Sequence, residues 1–485
     1  MKRRFFIVLF LITVIRVTGA EKETQVTVPQ PVYPLPTDRQ LAWHEMEQYA
    51  FIHFTTNTFT GKEWGFGDEK EDVFNPSKLD VNQWIKVVKA AGLKAIVLTC
   101  KHHDGFCLWP SQYTDHSVKN SKWMGGKGNI VKLVADACHQ SGLKFGVYLS
   151  PWDRNRKDYG SPSYVEYYRN QLRELFTLYG PVFEMWFDGA NGGDGYYGGA
   201  REKRKIDASK YYDWPTTLNL VRKMEPNIVF FSDAGPDVRW VGNESGYAGE
   251  TNWGNITSDS IYAGKSGIES LLNRGDEDGK SYIPAEVDVS IRPGWFYHAE
   301  EDNKVKSPEK LFEIYLSSVG RGSNLILNIP PDRRGLLHEN DVKSLMGWRK
   351  IIDQAFKTNL ALHAQVSSDT HRGNSTLYAG SNVSDGNKDT YWATADNITQ
   401  GELIISLNGE KMINYITLQE YIKLGQRVKE FTISVWAGNS WKEISKGTTI
   451  GYKRIVKVDP IKTDRVKISI LNAKASPLIS TIEIY

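Results

Sequence analysis

The chain has 485 residues, which is enough for two or three domains with sizeable hydrophobic cores. The formal net charge is only +3, and this near balance gives no indication of a nucleic-acid or anionic-membrane partner. Aromatic residues make up 12% of the chain and include 15 Trp, a supply of flat apolar faces that favours a carbohydrate ligand. The three cysteines, Cys100, Cys107 and Cys138, are too few for a disulfide framework and lack the spacing of a metal site. We therefore expect buried free thiols. A Cys100–Cys107 disulfide is the alternative, and the sequence does not decide it.

The N-terminus has the pattern of a secretory signal peptide. The basic residues of M-K-R-R precede an apolar stretch from Phe5 to Val17, and small residues follow up to Ala20. The stretch is too short to span a bilayer and is interrupted near its end by Arg16. We predict cleavage after Ala20, export to the periplasm or the outside of the cell, and no membrane span.

Short apolar runs then alternate with helical patterns, and this alternation predicts a parallel α/β fold. Its regularity favours a (β/α)8, or TIM, barrel over a doubly wound sheet. A Gly- and Tyr-rich insertion followed by a charged run, 191–205, predicts a mobile loop at the rim of the barrel. The predicted strands are 50–54, 95–99, 145–149, 182–188, 228–232, 283–291 and 324–329, and the predicted helices are 81–91, 130–141, 164–179, 214–225, 308–319 and 342–358.

Helical periodicity ends near Val366, and short alternating runs replace it. In the run 466–470, for example, Val466, Ile468 and Ile470 would share one face and Lys467 the other. Regularly spaced short strands predict an antiparallel jelly-roll sandwich. We therefore predict a signal peptide at 1–20, a catalytic barrel at 21–362 and a β-sandwich at 363–485. The sandwich strands are expected at 403–407, 415–418, 431–435, 455–458, 466–470 and 482–484.

Polar side chains follow the first four predicted strands. Asp188 ends the run V-F-E-M-W-F-D, His53 closes the first strand, His102 and His103 follow the second, and Tyr148 lies in the third. The carboxyl ends of barrel strands meet at one face, so these groups are expected to converge there. The alternative for Asp188 is a plain turn residue, because Asp-Gly is also a common turn signal.

Hydrogen bonding to sugar hydroxyls suits a neutral imidazole, which offers one donor and one acceptor. A zinc site is the rival interpretation of the histidines. The adjacent pair His102 and His103 disfavours it, because consecutive side chains in an extended chain point apart, and H-E-x-x-H is absent from the sequence.

Hydrolysis of a glycosidic bond by two carboxyl groups needs a second acid beside Asp188. The best candidates are Glu244 and Glu250, in an aromatic, Gly-rich loop that can desolvate a carboxyl group and raise its pKa. Glu286 and Asp288 are reserves, and the physical argument alone does not rank the four.

Six motifs together resemble the retaining α-L-fucosidases of glycoside hydrolase family 29, a family with a (β/α)8-like barrel. They are F-I-H-F at 51–54, E-W at 63–64, K-H-H-D-G-F at 101–106, W-F-D-G-A at 186–190, I-R-P-G-W-F-Y-H at 291–298 and N-L-I-L-N-I-P-P-D at 324–332.

The resemblance implies an exo-acting retaining enzyme that needs no cofactor for catalysis. Asp188 would be the nucleophile and Glu244 the acid/base, because G-N-E-S-G resembles the branch that prefers α1,3- and α1,4-linked fucose. The substrates would be fucosylated oligosaccharides or glycoconjugates. The implied fucose-binding residues are His53, Glu63, Trp64, His102, His103, Tyr148, Trp186 and Trp295.

The last domain resembles discoidin, or coagulation factor 5/8 type C, modules, through N-V-S-D-G-N-K-D-T-Y-W at 382–392 and S-T-I-E-I-Y at 480–485. In that family the turn and a late Glu often bracket a structural calcium, for which Asp385 and Glu483 are the candidates. Asn387, where an acid is common, weakens this interpretation. A purely architectural module is the alternative.

Two other functions stay open at this point. A catalytically silent fucose-binding lectin could use the same barrel, although the presence of Asp188 and Glu244 favours an enzyme. A related retaining glycosidase could act on another deoxy or 6-substituted sugar.

Overall fold

A computed structural model describes residues 26–485, and within this range eight parallel strands close into a barrel. The predicted signal peptide, 1–20, lies outside the described residues. Across 26–485 no helix is long and apolar enough to cross a membrane. The barrel strands are β1 (Gln48–Ile52), β2 (Ala95–Lys101), β3 (Lys144–Leu149), β4 (Glu184–Trp186), β5 (Val229–Ser232), β6 (Val238–Trp240), β7 (Ala285–Ser290) and β8 (Asn324–Asn328).

Strands adjacent in the chain are also adjacent in the barrel, and β8 closes it by pairing with β1 in parallel. This confirms the predicted (β/α)8-like architecture. The helices are α1 (Asp38–His44), α2 (Thr56–Thr60), α3 (Val81–Ala90), α4 (Ile130–Ser141), α5 (Pro162–Leu178), α6 (Trp214–Met224), α7 (Glu269–Arg274), α8 (Pro308–Ser317) and α9 (Glu339–Ala355).

The barrel departs from the regular pattern between β5 and β6. The connection 233–237 contains no helix, and β6 has only three residues. So short a strand, with no helix before it, shows no periodicity, which is why β6 is missing from the predicted strands. Glu244 follows this sixth strand.

Local sequence signals set the ends of several helices. The side chains of Asp80, Asn129 and Ser307 accept hydrogen bonds from the backbone N–H groups of Gln83, Lys132 and Lys310, respectively. Each cap satisfies an N–H group that has no partner inside its helix. Gly142 ends α4 with φ +76°, a left-handed conformation that glycine adopts without strain.

Alternate residues of the strands point into the barrel. On β1 these are Tyr49 and Phe51, and on β4 they are Glu184 and Trp186. Strands buried on both faces read as nearly continuous apolar runs, as the sequence shows here. Continuing the same alternation past the strand ends brings His53 and Asp188 to the mouth of the barrel.

The insertion at 191–205 is a hairpin pinned to the barrel, not the free rim loop expected from its composition. Strands Gly193–Gly195 and Glu202–Arg204 pair in it. Tyr197 is buried, and its hydroxyl oxygen accepts a hydrogen bond from Trp152 Nε1 at 2.9 Å. Arg154 bonds both Asp194 and the carbonyl of Gly65, so the hairpin is tied to the loop that carries Trp64.

The C-terminal region is an antiparallel sheet, as predicted, but four of the six predicted strands merge into two long ones, and three further strands were not predicted. The runs expected at 403–407 and 415–418 belong to one bulged strand, and those at 455–458 and 466–470 to another. Bulges let a long strand bend, and apolar periodicity lapses there. The strands are β9 (Gln365–Ser368), β10 (Trp392–Ala393), β11 (Gly401–Glu420), β12 (Val428–Ala437), β13 (Ser440–Gly447), β14 (Arg454–Ala473) and β15 (Leu478–Ile484).

This sheet domain lies against the amino-terminal ends of the barrel strands. Lys453 pairs with Glu47, just before β1, and Ile455 packs on Gly320, just before β8. Gln426 exchanges hydrogen bonds with the backbone of Asn252 and Gly254. The domain therefore supports the barrel from the side opposite its mouth.

Candidate active site

A cavity of about 260 Å³ opens at the carboxyl ends of the barrel strands. It brings together all the predicted catalytic and fucose-binding residues except Glu63. The lining residues are Phe51, His53, Trp64, His102, His103, Tyr148, Trp186, Asp188, Gly189, Ala190, Asp233, Trp240, Glu244, Asp288 and Trp295.

Asp188 is held at the centre of this cavity by short contacts. Its Oδ2 accepts a hydrogen bond from the Tyr148 hydroxyl at 2.8 Å, and its Oδ1 accepts one from the backbone N–H of Ala190 at 2.7 Å. His103 Nε2 lies 3.7 Å from Oδ2. The side chain is 23% exposed, so the carboxylate is oriented but reachable.

The histidine tautomers follow from the hydrogen bonds around them. The hydroxyl of Ser150 donates to the carbonyl of Trp152, so it must accept from His103 Nδ1 at 2.7 Å. Asn328 donates through its amide nitrogen to the carbonyl of Trp295, so its oxygen accepts from His53 Nδ1 at 2.8 Å. In both neutral rings Nε2 is therefore the acceptor, suited to a hydroxyl donor.

Burial keeps these imidazoles neutral. Desolvation lowers the pKa of His53 to about 3 and that of His103 to about 4, and it holds the pKa of His102 well below its usual value. Tyr148 stacks on His102 at a ring separation of 5.7 Å, which fixes both rings. Nowhere in 26–485 do three or more His, Cys, Asp or Glu side chains form a group suited to a metal ion, so the described residues do not support the rival zinc interpretation.

Glu244 lies at the rim, where the loop after β6 meets the loop carrying Trp295. Its Oε2 accepts a hydrogen bond from Trp295 Nε1 at 3.1 Å. Partial desolvation by the surrounding loop raises the pKa of Glu244, the Trp295 hydrogen bond opposes this, and the charges of Asp188 and Glu63 add to it. A raised pKa is the direction that a general acid requires.

Glu63 is placed beside the cavity and not in its lining. Its carboxylate accepts hydrogen bonds from the backbone N–H of Trp295 at 2.7 Å and of Phe296 at 3.2 Å, and contacts His298 Nε2 at 2.6 Å. In this structure Glu63 anchors the loop that presents Trp295.

Two of the other candidate acids, Glu250 and Glu286, lie outside the cavity that contains Asp188. Glu250 is exposed outside the cavity and pairs with Arg321 at 3.2 Å. Glu286 is fully buried in the barrel interior, where it accepts hydrogen bonds from Trp186 and Tyr49. Neither carboxyl group lines the cavity. Asp288 does line it but is buried, so Glu244, at the exposed rim, is the candidate that the geometry favours.

Two cavity-lining residues, Asp233 and Trp240, are missing from the sequence prediction, and Asp288 appears there only as a reserve acid. Asp233 directly follows β5, as Asp188 follows β4, so the rule of strand-end acids could have found it. Trp240 lies in the unpredicted strand β6 and donates its Nε1–H to Asp288 at 2.8 Å. Burial holds the pKa of Asp288 well above its usual range, the charge of Glu244 adds to this, and the Trp240 hydrogen bond opposes it.

The remaining predicted residues lie away from this cavity. The three cysteines are free and buried, as expected. Asp385 accepts hydrogen bonds from the backbone N–H of Asn387 and the hydroxyl of Thr390, and Glu483 lies in β15. These two side chains lack a third acidic or imidazole neighbour in the described range, so they do not form a metal site by themselves; calcium stays a prediction.

The cavity combines Trp side walls, neutral imidazole acceptors, one oriented carboxylate and one carboxyl group with a raised pKa. Aromatic faces and hydroxyl acceptors recognise a sugar ring, and a pair of carboxyl groups is the arrangement that cleaves a glycosidic bond. Together with the barrel, this site defines a glycoside hydrolase.

Comparison with known proteins gives the particular family. The family model described as Alpha-L-fucosidase matches residues 32–351. Alpha-L-fucosidase 1 of Arabidopsis thaliana is 40% identical over 94% of this chain and 88% of its own length. The chain belongs to the α-L-fucosidase family, glycoside hydrolase family 29.

Solved structures agree over both domains. A putative α-L-fucosidase from Bacteroides thetaiotaomicron superimposes with a TM-score of 0.86 at 40% identity, covering 94% of this chain and 98% of that chain. A Ruminococcus gnavus GH29 fucosidase in complex with fucose gives 0.85 at 32% identity, covering 95% and 96%. The F5/8 type C domain model matches residues 363–484, in line with the discoidin resemblance.

Proposed function

We propose that the enzyme is an exo-acting retaining α-L-fucosidase that releases terminal α1,3- or α1,4-linked L-fucose from oligosaccharides or glycoconjugates. The observation that carries the proposal is the pairing of Asp188 and Glu244 in one cavity with different protonation environments. Asp188 receives hydrogen bonds that favour a carboxylate, whereas Glu244 is in a setting that favours the acid.

The terminal fucose occupies the buried floor of the cavity. Nε2 of His53 and of His103 accept hydrogen bonds from its hydroxyls, and Trp186 and Trp295 cover its apolar surface. The ring is held so that its anomeric carbon faces Asp188. Because the histidines are already neutral and oriented, little reorganisation accompanies binding.

Cleavage then proceeds by double displacement. Glu244 protonates the glycosidic oxygen while Asp188 Oδ attacks the anomeric carbon, so the C–O bond to the leaving sugar breaks as a fucosyl–Asp188 ester forms. Glu244, now a carboxylate, takes a proton from water. That water attacks the same carbon and breaks the ester bond to Asp188. Fucose leaves with retained configuration, and the Asp188 carboxylate is regenerated.

Support for the linkage comes from the loops G-N-E-S-G and R-P-G-W-F-Y-H, which resemble the branch acting on α1,3- and α1,4-linked fucose. They meet in space through the Trp295–Glu244 hydrogen bond. We also propose that the N-terminal signal directs export, so that the enzyme meets its glycans in the periplasm or outside the cell.

The test is fucose release from a branched α1,3/α1,4-fucosylated oligosaccharide, with the wild type beside Asp188→Ala. We expect release by the wild type alone, and proton NMR of the fresh product should show α-L-fucose before mutarotation. Binding of the oligosaccharide with no release by either protein would favour the lectin. Faster cleavage of an aryl galactoside than of the aryl fucoside would favour a related retaining glycosidase that acts on another sugar.

A further inference from the structure

The cavity has a buried floor and a more exposed rim. The floor consists of Phe51, His53, His102, His103, Tyr148, Trp186 and Asp288, and the rim of Trp64, Gly189, Ala190, Asp233, Trp240, Glu244 and Trp295. An exo-acting enzyme places the terminal sugar deepest, so the sugar that carries it must pass the rim. Rim groups next to the scissile bond are therefore positioned to contact the leaving group.

Asp233 is the rim acid whose carboxylate is fixed in place. Its Oδ2 accepts a hydrogen bond from the backbone N–H of Gly264 at 2.7 Å. On its other side it packs against the backbone of Gly189, so closely that a Cβ on Gly189 would lie 2.2 Å from Oδ2. Residue 189 must therefore be glycine for Asp233 to lie beside the proposed nucleophile.

The second oxygen of Asp233 is unused. Among the described residues, no hydrogen-bond donor reaches Oδ1, whereas Oδ2 has the Gly264 N–H. An oriented carboxylate with one oxygen anchored and the other open to a cavity is a ready acceptor for a hydroxyl group.

The order of strands places this acceptor at the leaving-group side. Asp188 follows β4, Asp233 follows β5 and Glu244 follows β6, so Asp233 lies between the two carboxyl groups around the rim. The imidazole acceptors for the terminal sugar come from the loops after β1 and β2, on the other side of Asp188.

We propose that Asp233 binds a hydroxyl of the sugar to which fucose is attached, through Oδ1, and so selects for an oligosaccharide leaving group. This inference rests on the proposed function, since it takes Asp188 and Glu244 as the reacting pair. The ligand class is a pyranose with a free hydroxyl next to the fucosylated position.

A second role for Asp233 has to be separated from this one. Burial and the neighbouring Asp188 charge raise the pKa of Asp233 to about 6, so the two carboxylates repel each other. A residue that acts only through this repulsion would change turnover of every substrate alike. A residue that binds the leaving sugar changes only substrates that have one.

The experiment compares two substrates on Asp233→Asn and Asp233→Ala: a branched fucosylated oligosaccharide, and an aryl α-L-fucoside whose leaving group has no hydroxyl to donate. We expect kcat/KM for the oligosaccharide to fall about 10- to 100-fold, the usual effect of losing a charge-assisted hydrogen bond. We expect kcat/KM for the aryl fucoside to stay within about 2-fold, since that substrate never made the bond.

Glu250→Gln is the matched control, because it removes a carboxylate from the Glu244 loop outside the cavity and should change neither substrate. Equal losses on both substrates in the Asp233 variants, or no loss on the oligosaccharide, would overturn the inference. Failure of the proposed function is distinguishable, since the wild type itself would then release no fucose from either substrate. Retained aryl fucoside activity also shows that the variants fold.

Discussion

Two pairs of carboxyl groups share this barrel, and one strand contributes to both. From β4, Glu184 points into the barrel interior and Asp188, four residues on, reaches the mouth. Glu184 meets Glu286 in the interior, and Asp188 meets Glu244 across the cavity. Burial raises the pKa of Glu184 well above its usual range, and the charge of Glu286 adds to it.

The difference between the pairs is access, not residue type. Both oxygens of Glu184 are buried without a hydrogen-bond partner among the described residues, which favours the protonated acid. Glu286 accepts hydrogen bonds from Trp186 Nε1 at 3.0 Å and from Tyr49, so it is the better carrier of any charge. A search by perturbed pKa alone would choose this interior pair, which no substrate can reach.

The largest effect is expected from the accessible carboxylate. Asp188→Asn keeps the shape of the side chain but removes the proposed nucleophile, so kcat for an aryl α-L-fucoside should fall at least about 1,000-fold. Stopped assays with a sensitive fluorogenic fucoside measure this. Asp194→Asn, which changes an acid on the nearby hairpin, serves as a control for charge; more than a tenth of wild-type turnover in Asp188→Asn would argue against a nucleophilic Asp188.

Glu244→Ala separates the proposed role of Glu244 as acid from that of Asp188 as nucleophile. An aryl fucoside with a good leaving group needs no protonation, so its first step should be spared. The natural oligosaccharide should lose about 100- to 10,000-fold in kcat/KM, because its poor leaving group depends on the acid. Parallel kinetics on both substrates give the ratio; similar losses on the two, or the same discrimination in Glu250→Ala, would move the acid/base away from Glu244.

The interior pair, Glu184 and Glu286, should affect how the free energy of unfolding changes with pH. A folded state that holds the Glu184 proton loses relative stability as pH rises above the unfolded carboxyl pKa, because the unfolded chain releases that proton. Glu184→Gln has no such proton. Between pH 5 and 7 its free energy of unfolding should therefore improve relative to wild type by about 1 kcal/mol per pH unit.

Thermal melts of Glu184→Gln and wild type across that pH range measure this trend, with fucosidase activity as a check on the site. Glu250→Gln is the control. The Glu250 side chain is 76% exposed, so the difference in free energy of unfolding between this variant and wild type should not change with pH. A flat difference for Glu184→Gln as well would mean that Glu184 is ionised in the folded protein.

The smallest effect concerns the pH profile. The Trp295 Nε1–H donates to Glu244 and stabilises its charged form, so Trp295→Phe should raise the pKa of Glu244. Since the proposed mechanism uses the acid form of Glu244, the basic limb of kcat/KM should move to higher pH. Trp64→Phe, a change at another rim Trp, is the control and should leave the basic limb at the wild-type pH; a shift to lower pH in Trp295→Phe would contradict the assignment of that limb to Glu244.

Much of the fold could be predicted from periodicity, because barrel strands are nearly continuous apolar runs, whereas their helices repeat apolar residues at helical spacing. The apolar run ending at Asp188 and the helix capped by Asn129 illustrate this. The prediction fails at β6 and at the hairpin 193–204, where short strands have too few residues to show a period. In the C-terminal sheet, bulges divide long strands into apparently separate runs.

The sequence by itself determined the architecture, the convergence of His53, His102 and Tyr148, and the carboxylate at Asp188, since strand ends in a parallel barrel meet at one face. Only the tertiary structure placed Glu244, and neither Glu250 nor Glu286, in the cavity with Asp188, showed Glu63 bonded to the loop that carries Trp295, and added Asp233 to the rim. The positions of these side chains depend on the paths of the loops and on burial by segments that are distant in the chain. Such long-range contacts leave no local period in the chain, so they become visible only when the barrel closes.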